Sequence, residues 1–165
     1  MSSTLTALAV AAAIAAFAAE SSAPAATPEA SPATGGEAVA AKKRRGPVLR
    51  VRDSEFGPVL VEKRSGLAAY AFTLEKQGGK PRCYGGCADA WPSLRTRRRP
   101  VAGSGVDPDL LGTVERRNGG RMVTYDGRPL YFYVDDSPGV ILCNDVFEFG
   151  GDWLVIGPDG TLGGS

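Results

Sequence analysis

Two stretches of this chain repeat one another at an offset of 61 positions, and that repetition limits its fold more than any other feature. Tyr70 corresponds to Tyr131, Gly66 to Gly127, Phe72 to Tyr133, Glu75 to Asp136 and Gly78 to Gly139, with no gap. Each copy reads as a strand, a glycine turn, a second strand with aromatics two residues apart, and then an acid. Side chains alternate along a strand, so Tyr70 and Phe72 share one face, as do Tyr131 and Tyr133. The acid falls just past the strand end, where its carboxylate can accept hydrogen bonds from loop N–H groups. After small slips in register, Cys83 and Trp91 find counterparts in Cys143 and Trp153. An isolated hairpin cannot bury its apolar face. The spacing therefore predicts two copies of one hairpin unit, packed together about a pseudo-two-fold axis.

The strand signals are short and evenly spaced, at residues 48–52, 59–63, 68–73, 112–117, 121–125, 129–134 and 153–156. Asn118-Gly119-Gly120 and Asp126-Gly127 tolerate positive φ, so residues 112–134 are expected to form a three-stranded antiparallel meander. A similar hairpin turns at Ser65-Gly66. The one helical signal is short, residues 87–91, halted by Pro92. With 22 Gly and 12 Pro punctuating 165 residues, these signals predict a mainly β fold: an antiparallel sheet domain built from two related β-hairpin repeats with one short helix.

The first 45 residues read differently. Residues 5–19 are almost wholly apolar, short for a hydrocarbon core of about 30 Å but suited to a secretory signal, and Ala16-Phe17-Ala18 offers small residues for cleavage. Residues 1–19 are expected to be a signal peptide, with an uncleaved anchor as the alternative; once the signal is removed, no transmembrane span remains. Residues 20–45 are mostly Ala, Pro, Ser, Thr and Gly, too poor in apolar surface to offset the entropy of ordering. They read as a disordered linker ending in Lys42-Lys43-Arg44-Arg45, a solvated end or processing site that could add weak, salt-screened attraction to anionic lipid or polymer. The folded domain is expected over residues 46–160, with 161–165 as a tail.

Residue types exclude much chemistry. With 19 Lys and Arg against 18 Asp and Glu, the net charge of +1 argues against a general polyanion binder, and nucleic acid is not an expected partner. The absence of His removes the usual general base, the usual zinc or haem ligand and every histidine-based triad. No cofactor and no metal are expected, no catalytic residue is assigned, and an enzyme is the less favoured reading. Three cysteines always leave one thiol over. Gly85-Gly86 lets the chain curl enough to bridge Cys83 to Cys87, while a bond from either of them to Cys143 would close a longer loop. A structural bridge suits an oxidising compartment; a redox-active thiol usually sits in a Cys-x-x-Cys spacing, one residue shorter than this.

Arg95, Arg97, Arg98 and Arg99 form the densest charge cluster of the folded region, with Arg116 and Arg117 as potential neighbours. Their forks suit phosphate or carboxylate groups on an anionic envelope polymer or a membrane surface, although a solvated, proline-bounded loop is the favoured reading of the run. Asp135, Asp136, Asp145 and Glu148 could surround a hard cation or polarise a sugar, but their spacing matches no calcium loop, and strand-end caps account for them. Tyr70, Phe72, Tyr131 and Tyr133 could line a groove, yet their period-two alternation places them in the core.

The same residues resemble a known family. Tyr70-Ala71-Phe72-Thr73-Leu74-Glu75 and Tyr131-Phe132-Tyr133-Val134-Asp135-Asp136 are similar to the Tyr-x-aromatic-x-x-Asp repeat of bacterial secreted proteins and predicted lipoproteins of unknown function. The stretch Cys83-Tyr84-Gly85-Gly86-Cys87-Ala88-Asp89-Ala90-Trp91-Pro92 resembles that family's second signature, and Gly150-Gly151-Asp152-Trp153-Leu154-Val155 its closing one. The resemblance spans residues 59–160. Glu75 stands where the motif has Asp, and no cysteine precedes Cys83 to take a lipid. The resemblance implies an extracytoplasmic secreted-repeat domain and supplies no catalytic residue. The expectation is a secreted cell-envelope module that binds or scaffolds. Its rival is an envelope redox or electron-transfer accessory protein working through its cysteines.

Overall fold

Short β-branched and aromatic runs, cut by glycine turns, make ten strands and one helix in residues 45–163, which are the residues the computed structural model describes. The expected signal peptide and the linker up to residue 44 lie outside the described residues. In chain order the elements are β1 (Val48–Ser54), β2 (Gly57–Glu62), β3 (Tyr70–Phe72), α1 (Gly86–Ala90), β4 (Arg95–Thr96), β5 (Val101–Ala102), β6 (Leu111–Glu115), β7 (Arg121–Tyr125), β8 (Arg128–Pro129), β9 (Val146–Glu148) and β10 (Gly151–Val155). The protein is mainly β, with antiparallel sheets and one short helix.

Three small sheets result. In the first, β1 and β2 form a hairpin running from Leu49 opposite Glu62 to Ser54 opposite Gly57, and β5 adds to β1 in parallel. In the second, β10 lies between β3 and β9. In the third, β6, β7 and β8 make the meander, and β4 continues along the β8 side of β7. The Asp126-Gly127 turn carries φ of 47° and 70°, the positive pair that a two-residue hairpin matched to strand twist requires. The meander's third strand is shorter than its apolar run. Pro129 has no N–H to give the ladder; the Leu130 N–H still donates to Val123 of β7 at 3.0 Å, but Tyr131 and Phe132 cross to Tyr70 and Pro92. The chain also stays ordered past residue 160: Leu162 bridges Ile156 and the Gly163 N–H donates to the Val155 carbonyl at 2.8 Å.

Period-two alternation divides the interior into two clusters that share strands. Val59 and Val61 enter the first cluster while Leu60 enters the second. Likewise Tyr70, Phe72, Met122, Tyr131 and Val155 face the first, and their neighbours Ala69, Val123, Leu130 and Ile156 face the second. Strands buried on both faces read as continuous apolar runs rather than as alternating ones, which is the pattern of Val59-Leu60-Val61.

The two repeat copies make like backbone bonds, the Ala69 N–H donating to the Leu60 carbonyl at 2.9 Å as the Leu130 N–H does to Val123 at 3.0 Å, and Thr73 to Asp152 at 3.0 Å as Val134 does to Ala90 at 3.0 Å, but their ladders differ in length. Tyr70 to Phe72 is a ladder strand opposite Val155 to Trp153, whereas Tyr131 makes isolated bridges to Tyr70 and to Ser93. The copies meet at one reciprocal contact: the Tyr70 N–H donates to the Tyr131 carbonyl and the Tyr131 N–H to the Tyr70 carbonyl, both at 2.9 Å. Among the described residues no helix is long and apolar enough to cross a membrane.

Candidate functional site

Likeness between the copies extends to their side chains, which cross. The Tyr70 hydroxyl donates to Asp136 Oδ2 at 2.7 Å, and the Tyr131 hydroxyl donates to Glu75 Oε1 at 2.7 Å. Each tyrosine thus serves the acid of the other copy. Each acid also gathers N–H groups from the loop that follows it: Glu75 Oε1 accepts from Arg82 (2.6 Å) and Cys83 (3.3 Å), and Asp136 Oδ1 from Leu142 (3.0 Å). Tyr70 and Tyr131 are fully buried and Phe72 nearly so, so they form core rather than a groove; Tyr133 is half-buried.

Three rings stack through the middle of this core, in the order Phe72, Trp153, Trp91, and Tyr133 continues the row tilted at 42° to Trp91. Their centroids are 4.2, 4.0 and 4.8 Å apart, and the two indoles are nearly parallel at 4°. Tyr70 meets Trp91 edge-on at 5.2 Å, and Tyr131 meets Trp153 edge-on at the same distance. Glu148 satisfies both indoles: its Oε2 accepts from Trp91 Nε1 at 2.8 Å and its carbonyl from Trp153 Nε1 at 3.2 Å. The polar edges of the stack are therefore occupied.

Burial sets the acidity of these groups. It pushes the Glu75 carboxyl above its usual range, against the Arg82 N–H, the Tyr131 hydroxyl, the Cys83 N–H and the Arg116 charge, which pull it down. Burial likewise raises Asp136, opposed by the Tyr70 hydroxyl, the Leu142 N–H and Arg52. Tyr70 and Tyr131 are both held above the usual phenol range, first by burial and then by the acid each one faces. Arg116 is not a surface cation. It is buried beside the cystine loop, with Nη2 donating to the Cys83 carbonyl at 3.0 Å and its guanidinium 4.5 Å from the Tyr84 ring centroid; Arg117 lies over that same ring at 3.9 Å.

Cys83 and Cys87 are bridged, with Cα atoms 5.3 Å apart. Gly85, at φ 58°, makes the tight curl between them, and the five-residue α1 ends where Trp91, at φ −120° and ψ 76°, leaves the helical region that Pro92 disfavours for the residue before it. Cys143 is the remaining thiol, half-buried. Burial pushes it up, and Asp136, Glu148 and Asp135 add to the rise against a hydrogen bond from Tyr133. The Cys143 sulfur in turn helps push the Tyr133 phenol up to about 12. A thiol so placed holds its proton at neutral pH and is a poor nucleophile. Among the described residues no group of three or more Cys, Asp or Glu side chains gathers as a metal site would require.

The arginine run divides. Arg95, Arg97 and Arg98 line a hollow of about 470 Å³ together with Arg45, the last residue of the linker's basic cluster, and Arg64, from the turn after β2. Arg99 lines a different depression with Leu111, Thr113 and Arg121. The local backbone is fixed: Thr96 Oγ1 accepts from the Arg98 N–H at 3.0 Å and also donates to the Arg98 carbonyl, and Arg121 Nη2 donates to the Arg97 carbonyl at 3.4 Å. Nothing in the spacing of Arg45 or Arg64 marked them as neighbours of this run. Only the β1–β2 hairpin brings them there.

The match to known proteins falls on the second copy of the repeat. Residues 112–156 match the model of a family described as a secreted repeat of unknown function. The matched span holds Tyr131, Tyr133, Asp136, Cys143 and Trp153; the crossed bonds tie it to Tyr70 and Glu75 outside it, and Glu148 ties it to Trp91. No curated protein and no solved structure matches the chain. A secreted repeat works outside the cytoplasm, and an oxidised Cys83–Cys87 pair agrees with that location.

Proposed function

We propose that this protein is an extracytoplasmic binding module that holds phosphate- or carboxylate-bearing molecules of the cell envelope on its arginine hollow. The repeat core serves as the rigid scaffold. One observation carries the reading: Arg45, Arg64, Arg95, Arg97 and Arg98, drawn from three separate segments, line a single hollow. Guanidinium groups are weakly hydrated and present paired donors, so several converging on one space favour a multiply charged anion. A hollow fixed by β-strands and a hydroxyl-locked turn also costs little to order on binding. The rival redox reading is disfavoured because the Cys143 thiol lies among carboxylates that oppose its ionisation.

Calorimetric titration of the full chain at low salt, with poly(glycerol phosphate) and with polygalacturonate, tests this. The expected result is binding that weakens as salt rises and falls about tenfold in Arg97→Ala/Arg98→Ala. If neither polymer binds the wild type at low salt, the reading fails.

A further inference from the structure

Beside the arginine hollow lies an open cleft of about 700 Å³ that anion binding alone leaves unused. The two spaces share Arg45, Gly46, Pro47 and Arg64 as a common wall. Away from that wall the cleft is lined by the apolar Val48, Leu94 and Phe132 and, from the end of β2 and the turn after it, by Glu62, Lys63 and Ser65. Leu94 is buried, while Val48 and Phe132 remain half-buried although Phe132 packs against the second core cluster. The cleft's one acid is already engaged: Glu62 Oε2 accepts from the Ser65 N–H at 2.7 Å and from its hydroxyl at 2.9 Å. Its size is that of a small-molecule site, and it is apolar along its length with cations at one end. A ligand complementary to it carries an alkyl chain that ends in an anion. The aliphatic stems of the two shared arginines suit the point where chain meets head.

We propose that cleft and hollow together bind a free single-chain anionic amphiphile, its phosphate or carboxylate head at Arg45 and Arg64 and its chain along Pro47, Val48, Leu94 and Phe132. This rests on the anion-binding reading and names the ligand class. The test is calorimetric titration of the full chain, at low salt and below micelle-forming concentrations, with glycerol phosphate, octyl phosphate and octyl glucoside. Each methylene removed from water multiplies affinity about fourfold, so with about three to four methylenes covered in this open cleft octyl phosphate is expected to bind about a hundredfold more tightly than glycerol phosphate. Octyl glucoside, lacking the charge, is expected to bind more weakly than octyl phosphate.

Val48→Trp, which fills the cleft and does not line the hollow, is expected to cost octyl phosphate about tenfold while leaving glycerol phosphate within about twofold. Phe132→Ser gives the same readout should the first variant fail to fold. Equal affinity for octyl and glycerol phosphate overturns the inference and leaves the anion-binding reading standing; that is the outcome if residues 20–44 or a second copy cover the cleft. Equal affinity for octyl glucoside and octyl phosphate overturns the pairing of chain with charge. Sedimentation with phosphatidylglycerol vesicles, without any preference for octyl phosphate, shows membrane attraction by surface charge and overturns it too. Failure of both phosphates and both polymers removes the underlying reading along with this one.

Discussion

Tyr70 and Tyr131 make equivalent hydrogen bonds, yet the acids they serve differ in exposure, and that difference decides what each bond contributes. Glu75 is almost fully buried and its Oε1 takes three donors, while Asp136 is half-buried and within reach of water. Tyr131→Phe leaves a buried carboxylate short of a partner and is expected to cost about 1–3 kcal/mol; Tyr70→Phe, whose acid can rehydrate, is expected to cost about 1 kcal/mol. Urea denaturation of the two variants should preserve that order, and equal losses would count against it. The buried carboxyls also set a pH dependence. A carboxyl held above its usual value binds its proton more tightly in the folded state than in the unfolded one. Its contribution is therefore fully present below the ordinary Glu value of 4.5 and is lost as pH rises through the raised folded value. Glu75→Gln removes that titration. Relative to the wild type, its urea midpoint is expected to improve between about pH 4 and pH 8. A wild-type minus variant difference that stays flat over this range refutes the assignment.

A helix of five residues is too short to form on its own account, and α1 has no side-chain N-cap. It persists because both ends are tied: Cys87 is bonded to Cys83, and the Trp91 N–H donates to the Cys87 carbonyl at 2.8 Å. The clip also positions Trp91 for the central stack and presents the Cys83 N–H and carbonyl to Glu75 and Arg116. Closing so short a loop removes little unfolded-chain entropy, so Cys83→Ser/Cys87→Ser is expected to cost about 2 kcal/mol, measured by urea unfolding. A loss near zero would mean that packing around Trp91 holds α1 unaided. The repeat itself separates into two levels here. The aromatics, the acids and the backbone bonds that flank them are shared between copies, while ladder length is not: β3 runs along β10 for three residues, and Tyr131 makes only single-residue bridges.

For the whole molecule, the important feature is that the two core clusters are built on opposite faces of the same strands. Val59 and Val61 cannot leave the first cluster without withdrawing Leu60 from the second. The domain is therefore expected to unfold in a single step, with tryptophan fluorescence, reporting Trp91 and Trp153, and far-UV circular dichroism giving coincident urea transitions. Separate transitions would show that the clusters are independent. Strand positions, the Asp126-Gly127 turn, the short helix before Pro92 and the mainly β class were all legible in the chain, because period-two burial and positive-φ turns are local demands on residue type. The two-residue strands β4 and β5 and the edge strand β9 were not, since so few residues carry no periodicity. What the sequence by itself determined was the duplicated motif, which residues alternate, and the spacing that lets Cys83 reach Cys87. Only the tertiary structure decided that each tyrosine serves the other copy's acid, that Arg116 is buried beside Glu75, and that Arg45 and Arg64 join Arg95, Arg97 and Arg98. Those are meetings between segments far apart in the chain, fixed by how the sheets pack, and no local preference of a residue encodes its distant neighbour.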